Sequence, residues 1–300
     1  MKPILLSLSL AGILSAGEFQ PDRVAPDAKW WLHADLAAAK QTAPGQRMVE
    51  AIEAKHGDQL NALKLMFSVN PMTDLDSITL FGDGRKDKAV AIIEGRFNRK
   101  HLEGLVKAAE DYEHHTHGSF GVHSWEDKGK RQHAAFATNT LLIFSHEKSL
   151  LHQALDVIES GNGMTPDPFT TNGEGSPFLV GSALLSEVEM EGDESRLLGK
   201  ADALKIALHE SGERMDARML LEAGNPRDGQ RFKRVMEGII ALGELSDALS
   251  DSGDMTFTTR TSGGGRIVNS TMSMPSSMMV EWMEAEGAFD LDDDSETSED

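Results

Sequence analysis

Four times this chain sets a glycine-bearing turn between two alternating apolar runs, and that pattern commits it to antiparallel hairpins. "DSITLFGDGRKDKAVAIIEGRF" turns at Gly82, Asp83 and Gly84, and "SFGVHSWEDKGKRQHAAFATNTLLIF" turns at Lys128-Gly129 and bends again at Asn139. "ALKIALHESGERMDARMLLEAG" turns at Ser211-Gly212, and "MTFTTRTSGGGRIVNSTMSM" turns at Gly263–Gly265. Strands joined this tightly run in opposite directions, because a parallel crossover needs a dozen or more residues.

Amphipathic helices separate the hairpins. In "NRKHLEGLVKAAEDY" the residues Leu102, Leu105, Val106, Ala109 and Tyr112 recur at helical spacing. "SHEKSLLHQALDVIESG" carries Leu150, Leu151, Ala154, Leu155 and Ile158 on one stripe, with Ser145 as the expected N-cap and Gly161 as the stop. A third helix is expected in "PRDGQRFKRVMEGIIALGELSDAL", with Phe232, Val235, Met236, Ile239 and Leu242 on one side, and a short last one in "PSSMMVEWMEAE". "WWLHADL" at 30–36 and "PFLVGSALL" at 177–185 read as strands that open each half. The expected fold class is therefore α+β: two diverged β-β-α-β-β-α units, mainly antiparallel sheets with helices packed on one face. The units span 28–160 and 177–285, joined by a Gly-, Pro-, Asn- and Thr-rich linker at 161–176.

On "WWLHADL", "TLLIFSHEKSLLHQALDVIESG" and "PFLVGSALL" the chain resembles a broad group of uncharacterised exported bacterial proteins. The resemblance spans most of 28–285 and implies the two-repeat α+β architecture. That group brings no established activity with it.

Both ends of the chain suggest where it works. "MKPILLSLSLAGILSAGEF" has the three parts of a secretory leader: Lys2, the apolar run Ile4–Leu14, and the small residues Ser15, Ala16 and Gly17. The run is shorter than the roughly 20 residues that cross a bilayer, so residues 1–17 read as a signal peptide and the mature protein as soluble, periplasmic or extracellular. The absence of cysteine removes disulfides and thiolate chemistry, which leaves an exported domain to hold together by its core. Residues 286–300 add a run of acids without a base to a chain of net charge -20, and read as a disordered, solvated tail. Such acidity argues against nucleic acid, whose phosphates require clustered Lys and Arg.

Catalytic signatures are missing or out of context. "SHEK" at Ser145–Lys148 matches Ser-x-x-Lys without a Lys-Thr-Gly or Ser-Asp-Asn partner. There is no Gly-x-Ser-x-Gly, no phosphate loop and no His-Glu-x-x-His, and "GGG" at 263–265 lies between strands rather than before a helix. No cofactor is implied.

"EDYEHHTHGSFGVHSW" at 110–125 is the one stretch that suggests a ligand. Read as a single extended strand, it puts His115, His117, His123 and Trp125 on one face, and Phe120 and Val122 on the other. His115 and His117 lie roughly 7 Å apart along such a strand and can share an ion, whereas His123 lies roughly 20 Å from His117 and cannot. His114 joins only if the chain bends at Gly118. Two imidazoles fall short of the four ligands of a structural zinc site, so the stretch is expected to be a solvent-facing lead into a strand. Met272 and Met274 share a strand face and offer thioethers to Cu(I), although methionines also fill core gaps. Of Trp30 and Trp31, one should be core and the other partly exposed.

These readings favour an exported, non-catalytic binding or envelope accessory protein whose partner is a protein or small molecule. A weak Zn or Cu binder, using His115 and His117, is the second reading. An enzyme with a dispersed site is the third.

Overall fold

Each of the four turns closes a hairpin, and the Lys128-Gly129 turn shows why its residues are needed. Both have positive φ, 48° and 72°, the paired left-handed geometry that lets a two-residue loop match the twist of its strands. The computed structural model describes residues 17–171, 176–190, 198–244, 254–285 and 287–288. Residues 1–16 of the expected leader, residues 172–175 of the expected linker and nearly all of the expected acidic tail lie outside these described residues.

In chain order the strands are β1 (Trp30–Asp35), β2 (Leu75–Gly82), β3 (Ala89–Gly95), β4 (Glu113–His117), β5 (Phe120–Asp127) and β6 (Lys130–Phe136). They continue with β7 (Leu141–Ser145), β8 (Leu179–Ala183), β9 (Ala201–Ser211), β10 (Arg214–Ala223), β11 (Thr256–Ser262) and β12 (Ile267–Pro275). All twelve join one sheet in the order β11-β12-β10-β9-β8-β1-β2-β3-β7-β6-β5-β4. Its pairs are antiparallel throughout. The two opening strands, β1 and β8, pair with each other at the centre.

The helices are α1 (Leu36–Ala39), α2 (Ala43–Phe67), α3 (Pro71–Asp74), α4 (Arg99–Lys107), α5 (Lys148–Ser160), α6 (Pro168–Thr171), α7 (Pro226–Glu244) and α8 (Ser276–Ala285). The fold is thus mixed α+β, a large antiparallel sheet with helices packed on a face. That face carries α4, α7 and α8. Phe232 of α7 closes a cluster with Leu185, Leu221 and Val268, and Met279 of α8 packs on Met215 and Met274.

Helix α5 lies over the alternate residues of the sheet, and there the main core forms. Its Leu151, Ala154 and Leu155 are fully buried against Trp31, Phe81, Val90, Ile92, Val122 and Ile143. Burying each leucine stabilises the fold by about 1.5–3 kcal/mol. Trp31 is core and Trp30 half-exposed, as alternation requires.

Two local expectations are corrected. The N-cap of α5 is Glu147, because Ser145 is still in β7: its hydroxyl donates to the Ala89 carbonyl and accepts from the Glu147 amide. Gly161 does end the helix, at φ 67°. The histidine stretch is two strands rather than one, and α2, 25 residues long, was not legible in the sequence.

Candidate functional site

The turn at Gly118 decides where the histidines go. With Gly118 at φ 55°, β4 folds back on β5, and His115 pairs with Val122 while His117 pairs with Phe120. Cross-strand partners share a face, so His115 and His117 stand on the Phe120 and Val122 side, opposite to the single-strand reading. His114 pairs with His123 and faces the other way, its ring 5.0 Å from that of His123. Alternation along β4 sets His114 apart from the other two, and the bend brings it to His123.

The side reached by His115 and His117 is covered by α5. His152 and Asp156, one turn apart on that helix, project toward the strand. His115 Nε2 lies 3.0 Å from His152 Nε2. The His117 ring stacks on His152 with centroids 3.9 Å apart, and its Nε2 lies 2.7 Å from Asp156 Oδ1. Burial pushes the His115 and His152 imidazoles below their usual pKa, and neighbouring Lys148 and the other histidines push the same way. In these positions the groups hydrogen-bond one another, and among the described residues no three His, Asp or Glu side chains surround a common metal position. The sequence contained the spacing, "HQALD", but not the placement of α5 above β4.

Met272 and Met274 lie on one face of β12. Met274 is buried with Met215 and Met279, while Met272, Met255, Met278, Met283 and Phe178 pack around them. The methionines fill the space under α8.

The opposite face of the first half carries a cleft of about 320 Å³. Leu102, Leu105 and Val106 of α4 form one wall, and Trp125, Phe136 and Phe144 of the sheet form the other. Phe67, at the end of α2, also lines it. Its polar lining is Glu103 and His123. Tyr112 Oη lies 2.9 Å from His123 Nδ1, and His123 Nε2 lies 3.9 Å from Glu103 Oε1. Arg99 donates to Glu103 at 2.6 Å and holds that carboxyl below its usual range, while burial pushes His123 down. No Ser, Thr, Lys or Cys lines this cleft. Sequence reasoning missed it because the α4 stripe was legible, but the sheet residues that face it, brought together from β5, β6 and β7, were not.

No family model and no curated protein matches the chain. Among solved structures, crystal form III of TP0453 is similar at a TM-score of 0.48 and 9% identity, over 89% of this chain and 98% of that one. Crystal form IV of TP0453 is similar at 0.46 and 9% identity, over 91% and 99%.

Proposed function

We propose that the protein is exported and acts by binding, without catalysis, a small apolar molecule with one polar end. The site is the cleft between α4 and the sheet. The observation that carries this reading is the cleft itself: apolar walls, a volume within the range of ligand sites, and its two polar side chains, Glu103 and His123, side by side. A lining without a nucleophile, and a His123–Glu103 separation too long for a hydrogen bond, favour binding over acyl or phosphoryl transfer. Export rests on the leader at 1–17. Among the described residues no helix is long and apolar enough to cross a membrane.

An environment-sensitive apolar anion such as anilinonaphthalene sulfonate tests the site. Saturable fluorescence enhancement is expected with the native protein. It should be lost on Leu105→Glu, at a position already 38% exposed and therefore tolerant of charge. Undiminished binding by that variant overturns the assignment.

The two-unit reading belongs to the same proposal. Outward from the central β8–β1 pair, each half places its opening strand, then a hairpin, then the strand that precedes its last helix. The β4–β5 hairpin is an addition to the first half.

A further inference from the structure

We infer that His115 and His117 of β4, with His152 and Asp156 of α5, form a binding site for a divalent transition ion, zinc or copper. It lies across the sheet from the cleft and is independent of the function proposed there. Each element brings two donors to one place: residues i and i+2 share a strand face, and residues i and i+4 share a helix face.

The first pair is nearly at ligand spacing. Tetrahedral zinc with bonds of roughly 2.0–2.1 Å holds two nitrogens about 3.3 Å apart. His115 and His152 already hold theirs 3.0 Å apart, so the ion takes the place of the proton they share. Completing the site requires His117 and Asp156 to turn from each other toward that point. Their side chains are 26% and 63% exposed, which leaves room for both rotations. Three imidazoles and one carboxylate suit zinc or copper(II) better than calcium or magnesium, which prefer all-oxygen sets.

The surroundings act in both directions. The positive charge of Lys148 opposes a cation. Glu159, one turn beyond Asp156, accepts from the Ser119 amide at the hairpin turn and adds negative charge. The site opens to solvent, so the ion should exchange rather than act as a folding staple.

Isothermal titration of the metal-stripped full chain with ZnCl₂ tests this, with four variants. His152→Ala and Asp156→Asn should each weaken a one-to-one event, the first by at least tenfold. His114→Ala, on the other face, and Leu105→Glu, in the cleft, should leave it unchanged. Calcium and magnesium should give no comparable event. Zinc uptake that ignores His152→Ala and Asp156→Asn, as uptake by the acidic C-terminal residues would, overturns the assignment. So does an equal loss with His114→Ala, or no one-to-one event at all.

Discussion

His33 is the buried residue whose chemistry is most completely specified. It is 1% exposed, and its two ring nitrogens each lie 2.8 Å from a partner, the Thr79 hydroxyl and the Gly17 carbonyl. A carbonyl can only accept, so Nε2 carries the proton and Nδ1 accepts from Thr79. The neutral ring is fully satisfied, and burial lowers its pKa to about 4. In the unfolded chain His33 titrates near 6.5, so between these values the unfolded state binds the extra proton and stability falls as the pH falls. The loss from pH 7 to pH 4 should be on the order of 3 kcal/mol. Urea midpoints measured across that range should decline, and His33→Gln should flatten the decline. A slope unchanged by that substitution would argue against it.

Gly17 invites a second prediction at the same scale. A Cβ built on it would lie 2.4 Å from Asp35 Oδ1, so the backbone here runs directly against a carboxyl that burial pushes up. If the leader is cut before Gly17, the new α-ammonium lies beside Asp35 and pairs with it. Asp35→Asn should then lower the melting temperature of the chain that begins at Gly17 by more than that of an amino-terminally extended one. Equal shifts would show that no such pair forms.

Among elements, those with strong local chemistry were the legible ones. The hairpin turns, the α5 stripe ending at Gly161 and the opening strands follow from turn residues and periodicity alone. Leu155 is fully buried in that stripe, and Leu155→Ala should cost about 2–5 kcal/mol by chemical denaturation. The β4–β5 hairpin was missed although Gly118-Ser119 is a two-residue hairpin signal, because the flanking "EHHTH" carries no apolar alternation to mark a strand, and that turn put His123 on the face opposite His115 and His117. Helix α2 was missed for another reason: its apolar residues form no stripe. The backbone leaves helical geometry at His56, beside Gly57, and the following segment exposes Leu63, Leu65 and Met66, Leu65 by 83%. Little packing holds that segment, so its amides should exchange with deuterium much faster than those of α5. Comparable protection in both would mean that residues 57–67 are covered in solution.

At the scale of the whole molecule, the sequence pattern suggested two units, whereas one sheet runs through both halves. Hairpin order was readable because it is local. The β1–β8 pairing was not, because the strands lie far apart in sequence and no turn links them. Nor could the sequence show that α5 would bring His152 and Asp156 over β4, since helix docking is settled by the core beneath it. That core crosses the junction: Val180 of β8 and Ala207 of β9, both fully buried, belong to the same cluster as Trp31, Phe81 and Leu151. Residues 17–171 alone would uncover this cluster and leave β1 without its β8 ladder, exposing a flat edge. The intact chain should therefore melt in one transition, with far-ultraviolet dichroism and tryptophan fluorescence coincident. The fragment 17–171 should show no cooperative transition. Two separable transitions in the full chain, or a cooperative fragment, would mean that each half is stable alone and that the central pairing only docks them.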